Sequence, residues 1–209
     1  MYLKFGPVRV HVTLPFAAVL AYAANTGRGE GLLLLFVSAL LHECGHLIFL
    51  FACGCRRPTL VLHPGGAAIT GCPLETLTCL QTVLVSAAGP AVNLLLALIL
   101  RVVLPGTQTL IRMQLLLGLC NLLPLPVLDG GRILSALSGR YLPTQAETVC
   151  TVLGAASLSL LTAFAAFLFL RRREIGSVQL FAGYCLVKTL LPPLKPWLQN
   201  RDRGKTNDI

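Results

Sequence analysis

Apolar residues fall in long unbroken runs, and polar residues gather at the ends of those runs. Residues 31–53 hold one charge, Glu43, and at 1.5 Å per residue reach roughly 34 Å, enough to cross a bilayer. Residues 77–104 form a second long run, interrupted by Gly89-Pro90, which is expected to bend the helix. Residues 149–170 form a third, stopped by Arg171-Arg172-Arg173. Shorter runs at 14–24, 110–123 and 178–191 bring the expected count to six spans. Between the runs, Val8, Val10 and Val12 alternate as in an extended lead-in. Residues 59–70 read as two short strands around His63-Pro64-Gly65-Gly66. Asp129-Gly130-Gly131-Arg132 opens an amphipathic segment ending near Tyr141. The predicted fold is therefore an all-α membrane protein with about six transmembrane helices and a short β-hairpin near the cytoplasmic side. Its domain is expected to cover 1–194, followed by a charged, disordered tail at 195–209.

Composition agrees with this reading. Apolar residues make up 55% of the 209 and charged residues 12%, against about 25% charged in soluble domains, and the mean hydropathy is +0.77. So few charges exclude a disordered chain, a nucleic-acid-binding tail or a soluble enzyme with a polar surface. The net charge of +9 is read as cytoplasmic loop charge, with no nucleic-acid partner. With both termini on one side, that side holds Lys4, Arg9, Arg56, Arg57, Arg132, Arg140, Lys195, Arg201, Arg203 and Lys205. The other side holds Arg28, Arg112 and Arg171–Arg173. The balance favours cytoplasmic termini, although the triple arginine opposes it. The eight cysteines are expected to be reduced and structural, since most sit in apolar runs.

Two of the eight acidic residues fall at membrane depth: Glu43, inside a span, and Asp129, at the end of a broken one. Intramembrane acids usually face a cavity and work there, although helix anchoring and proton relay are alternatives. Glu43 belongs to His42-Glu43-Cys44-Gly45-His46, an H-E-x-x-H pattern. On a helix, His42 and His46 share a face and can present imidazole nitrogens to one ion, while Glu43 lies beside it as a proton acceptor. Two buried core histidines are the plainer reading, and the acid between them weakens it. Catalytic zinc takes three protein ligands and a water. Asp129 is the best third candidate; His11 and His63 compete from polar segments. Cys44 points to another face. The expected cofactor is Zn2+.

His42-Glu43-Cys44-Gly45-His46 together with Asn121-Leu-Leu-Pro-Leu-Pro-Val-Leu-Asp129-Gly130-Gly131 resembles the paired signature of the site-2 protease family of intramembrane zinc metalloproteases. The resemblance is nearest to the sporulation branch, which processes a membrane-tethered sigma-factor precursor. Val10-His11-Val12, Leu62-His63-Pro64-Gly65-Gly66 and Ala88-Gly89-Pro90-Ala91-Val92-Asn93 extend it over residues 8–140. It implies that His42, His46 and Asp129 bind zinc, that Glu43 is the general base, and that Asn121 meets the substrate. A helix-end cap is the plainer role for Asn121. It implies that Gly89, Pro90 and Asn93 support helix packing, and that the His63 hairpin guides the substrate as an added strand. Residues 56–76 are too few for a PDZ domain, and those after Pro193 too few for a CBS domain. Any regulator is then a separate membrane protein or the N-terminal segment. The expected function is regulated intramembrane proteolysis in a bacterial cell membrane, with a membrane-tethered substrate and the bilayer as partners. A zinc or proton transporter using the same cluster is the alternative, and a substrate-binding pseudoprotease a further rival.

Overall fold

The computed structural model describes residues 2–14, 29–63, 66–72, 76–172 and 177–190. Their order is β1 (Tyr2–Phe5), β2 (Val8–Val12), α1 (Gly29–Ala52), β3 (Thr59–His63), β4 (Gly66–Thr70), α2 (Cys79–Val103), α3 (Gln108–Asn121), α4 (Asp129–Tyr141), α5 (Ala146–Arg172) and α6 (Ser177–Leu190). The chain separates into two compact units, Met1–Ser157 and Leu158–Ile209. All strands and all candidate site residues belong to the first.

Among the described residues, three helical segments are long and apolar enough to cross a membrane: Leu33–Ala52, Cys79–Val103 and Ala146–Arg171. This is half the number expected from sequence. The expected fourth and sixth spans fold as α3 and α6, each 14 residues long. At 1.5 Å per residue they rise about 21 Å, short of a hydrocarbon core of about 30 Å. The expected first span, 14–24, and the tail at 195–209 lie outside the described residues apart from Leu14.

The inner faces of the long helices are small and polar. On α2 the buried positions include Ser86, Ala88, Gly89, Asn93 and Ala97, while Leu80, Leu84, Leu95, Leu98 and Val102 face outward. A water-soluble helix does the opposite. In lipid no hydrophobic gain separates inside from outside, so small residues that admit close packing collect at the interface. The start of α2 is fixed by a capping box: Gln81 N–H donates to Thr78 Oγ1 at 3.3 Å, and Thr78 N–H to Gln81 Oε1 at 2.9 Å. The helix continues through Pro90, whose missing N–H removes the bond that the Ser86 carbonyl would receive.

The four strands form one sheet in the order β1-β2-β3-β4. β1–β2 and β3–β4 are antiparallel, and β2 joins β3 in parallel, with Val10 opposite Leu60 and Val12 opposite Leu62. The lead-in valines thus find a partner 50 residues away. Val8, Val10 and Val12 pack with buried Leu60 and Leu62 against Phe36 and Leu40 of α1. The sheet is thereby fastened to the helix that carries the histidines, within the two turns that precede His42.

One expectation about the cysteines fails. Cys55 and Cys72 are disulfide-bonded, with a Cα–Cα distance of 5.6 Å, and close the base of the β3–β4 hairpin. The pairing arises because the hairpin folds back and brings residues 17 apart together. The other six cysteines form no disulfide.

Candidate metal centre

α1 supplies His42 and His46 one turn apart, both buried at 5% exposure. Asp129, also buried, is the first residue of α4. It is delivered there by an irregular turn. Pro124 and Pro126 cannot continue α3, and the turn closes through Leu125 N–H to the Leu123 carbonyl (2.8 Å) and Leu128 N–H to the Leu125 carbonyl (2.9 Å). The helix then opens with a carboxylate at its positive end, where negative charge is favoured. Gly130 and Gly131 serve close approach: a Cβ on Gly130 would overlap the Leu122 carbonyl, and one on Gly131 the Leu125 carbonyl.

The three donors converge. Asp129 Oδ2 is 3.0 Å from His42 Nε2 and 3.2 Å from His46 Nε2, and the two Nε2 atoms are 3.1 Å apart. Their ligating atoms all lie within 4.8 Å of one another. The opposite ring nitrogens are already engaged. His46 Nδ1 donates to the Val85 carbonyl at 2.7 Å, and His42 Nδ1 lies 3.2 Å from Asn93 Oδ1. A carbonyl only accepts, so these bonds place the protons on Nδ1 and turn the bare Nε2 lone pairs toward each other and toward the carboxylate. Three acceptors so close repel unless a cation lies among them. Second partners on Nδ1 are the usual way a protein orients imidazole ligands.

Gly89 completes the cradle. A Cβ there would overlap His46 Nε2 and stand 2.7 Å from His42 Nε2, so only glycine leaves the space into which both nitrogens point. Two imidazoles and one carboxylate suit zinc in an open, catalytic type of site. The residues present therefore fit the metal expected from sequence.

Glu43 is half-buried beside this cluster, and the titratable groups around it are His46, His42, Asp129 and Arg132. Asn121 ends α3, and its Nδ2 donates to the Leu117 carbonyl of its own helix at 2.9 Å. The structure thus gives it the helix-end bond anticipated as its plainer role. His11 lies half-buried on β2 and is not in the donor group; the side chain of His63 lies outside the described residues. Cys44 is exposed. Sequence reasoning missed Val85, which acts through a backbone carbonyl that no side chain announces. It assigned Asn93 to helix packing, although an amide in the middle of an apolar helix is a visible signal.

Residues 106–161, which include Asn121 and Asp129, match the family model of Peptidase family M50. A zinc metalloprotease of Methanocaldococcus jannaschii is 34% identical over 121 residues, covering 52% of this chain and 34% of that protein. The regulator of sigma E protease of Haemophilus influenzae is 44% identical over 55 residues, covering 24% of this chain and 12% of that one. This chain thus spans about a third or less of the length of these curated relatives. Among solved structures, the site-2 protease from Methanocaldococcus jannaschii superimposes with a TM-score of 0.60 at 23% identity, over 88% of this chain and 91% of that one. The fold of this chain is therefore like that of this site-2 protease, and its sequence match to Peptidase family M50 covers residues 106–161.

Proposed function

We propose that this chain is an intramembrane zinc metalloprotease that hydrolyses peptide bonds of membrane-tethered proteins. The observation that carries the reading is the convergence of His42, His46 and Asp129, drawn from stretches 87 residues apart, beside a helix of membrane-spanning length. The donor set and the zinc metalloprotease relatives both support Zn2+.

In this reading His42 and His46 hold the ion through Nε2, and Asp129 through its carboxylate. When bound, zinc supplies Lewis acidity to the peptide carbonyl and lowers the pKa of water to about 7. Glu43 takes the proton from the attacking water and returns it to the departing amine. Asn121 is assigned to the substrate face. One of its amide protons stays with Leu117, which leaves Oδ1 and the second proton for a peptide backbone. A helical substrate must unwind before it can be cut, and β4, an edge strand, offers backbone groups to an added strand. We assign residues 1–194 to the protease domain and 195–209 to a charged tail, in a bacterial membrane with cytoplasmic termini. The motif resemblance extends the proposal to a sigma-factor precursor as substrate and to a separate membrane protein as regulator. The transporter alternative is not favoured, since the relatives are proteases.

The test is co-expression with tagged single-span candidate substrates, using the unaltered chain and Glu43→Gln, with bound zinc measured in both. The variant is expected to keep its zinc and to lose about 10²–10⁴-fold in cleavage, the usual contribution of a general base. Cleavage at the normal rate by Glu43→Gln would remove the assigned base. Zinc flux into vesicles without any cleavage would favour the transporter.

A further inference from the structure

Ser38, Asn93 and Gln114 bring polar side chains into the interior from α1, α2 and α3, at 0%, 0% and 1% exposure. Their bonds fix how each amide is turned. Ser38 O–H donates to the Leu34 carbonyl of its own helix at 2.7 Å, so its oxygen is left to accept. Gln114 therefore offers it Nε2, also at 2.7 Å, and keeps Oε1 unused. With Nε2 of His42 turned to the donor cluster, Nδ1 carries the proton. Asn93 therefore offers Oδ1, at 3.2 Å, and keeps Nδ2 unused. Among the described residues, neither Asn93 Nδ2 nor Gln114 Oε1 has a hydrogen-bond partner, although both are buried. One is a donor and the other an acceptor. Leaving such groups unpaired away from water is costly.

The partners of the two amides lie one turn apart. Ser38 and His42 are four residues apart on one face of α1, roughly 5–6 Å between their Cβ atoms. Gln114 is bonded to the first and Asn93 to the second. α3 runs back along α2 at this level. A Cβ on Gly118, one turn from Gln114, would lie 3.2 Å from the Pro90 carbonyl and 3.0 Å from the Leu94 side chain, on either side of Asn93 in sequence. A gap of one turn between a donor and an acceptor is the span of a single water, with two bonds of about 2.8 Å. Ordinary polar contact between membrane helices accounts for the Ser38–Gln114 bond. It does not account for a complementary donor and acceptor left over on the two adjoining helices.

We propose that Gln114 positions His42 through Asn93, with one internal water joining Asn93 Nδ2 to Gln114 Oε1. This rests on the zinc-binding role assigned to His42 above. The water accepts from Nδ2 and donates to Oε1, so every bond in the chain from the Leu34 carbonyl through Ser38, Gln114 and Asn93 to His42 has one donor and one acceptor. Holding Nδ2 fixes the plane of the Asn93 amide and thereby aims Oδ1 at His42 Nδ1. Orientation of an imidazole ligand by its other ring nitrogen is thus extended to a third helix. Gln114 lies outside the donor cluster and acts only through Asn93, as a positioning residue.

The experiment is a double-mutant cycle in the full chain in detergent, with zinc affinity as the readout. Gln114→Met replaces both amide atoms in nearly the same volume and is expected to weaken zinc about threefold to tenfold. Combined with Asn93→Leu it should weaken zinc no further than Asn93→Leu alone, because the link is already cut. The visible absorption of the cobalt-loaded chain reads the geometry of the ligands, and Gln114→Met is expected to shift it in the same direction as Asn93→Leu. A residue that only packs helices would lower the melting temperature and leave that spectrum alone. In the unaltered chain, the side-chain amide protons of Asn93 are expected to show a nuclear Overhauser contact with a long-lived water. That measurement needs no variant, so poor folding of Gln114→Met leaves the test intact. Losses that add, or an affinity and cobalt spectrum that Gln114→Met does not move, overturn the proposal and leave the zinc site standing. The lack of any water contact at the Asn93 amide overturns it too. An unaltered chain that takes up neither metal removes the zinc reading itself, and this inference with it.

Discussion

Gly89 of α2 lies so close to the His46 imidazole that a Cβ at position 89 would overlap Nε2, the nitrogen facing Asp129. The same atom would stand 2.7 Å from His42 Nε2. Gly89→Ala is therefore expected to push at least one imidazole away from the shared centre and to abolish stoichiometric zinc in the purified protein. Gly106→Ala is the control, since nothing lies within 4 Å of a Cβ there. Metal analysis and helical content by circular dichroism read the result. A Gly89→Ala protein with full zinc and full cleavage would show that the cradle is not where the ion sits.

Zinc should also stabilise the fold. With the metal removed, two Nε2 lone pairs and a carboxylate are left at 3.0–3.2 Å from one another. A ligand at a thousandfold excess over its dissociation constant adds about 4 kcal/mol to the native state. Chelation is expected to lower the thermal midpoint in detergent by several degrees, and zinc to restore it. His46→Ala should melt near the chelated value with no response to zinc. Equal responses of the two proteins would mean that zinc binds elsewhere.

The donor set was legible in the sequence because its signals are local. His42, Glu43 and His46 declare a shared helix face by spacing alone, and Asp129 stood out as an acid after a broken apolar run. The hairpin turn at His63–Gly66 was legible for the same reason, and the structure pairs β3 with β4 around it. What stayed hidden is non-local. The parallel pairing of Val10 with Leu60 joins segments with no common pattern, and the Cys55–Cys72 bond depends on that folded-back hairpin. Of the six expected spans, three are helices of spanning length among the described residues, while α3 and α6 are 14 residues each. The packing of an apolar run in lipid is set by small interior residues such as Gly89 and Ala97, which hydropathy does not set apart from their neighbours.

Asn93 is fully buried and lies 3.2 Å from His42 Nδ1 through Oδ1. Second partners of this kind typically carry 10–100-fold in metal affinity. Asn93→Leu removes the acceptor and is expected to weaken zinc by about that factor. Asn93→Asp keeps an acceptor in place and should recover most of it. Competition with a zinc-sensing dye measures both affinities. If Leu and Asp weaken zinc equally, the asparagine acts through packing alone.

The Cys55–Cys72 disulfide makes a prediction about sidedness as well as stability. It closes a 17-residue separation at the base of the β3–β4 hairpin, and a loop of that length carries about 3 kcal/mol in the chain-entropy account. Denatured, unreduced protein is expected to alkylate at six thiols, and Cys72→Ser at seven. The variant should also expose the hairpin amides to faster hydrogen exchange while leaving α2 protected. Eight reactive thiols in the unaltered chain would mean that the pair is not bonded. Disulfides persist in oxidising compartments, whereas the basic-residue balance leads to the expectation of residues 56–76 on the cytoplasmic side. Thiol trapping in intact cells decides between these opposing signals. An oxidised pair reachable by a membrane-impermeant reductant from outside would reverse the orientation, and two free thiols in cells would uphold it.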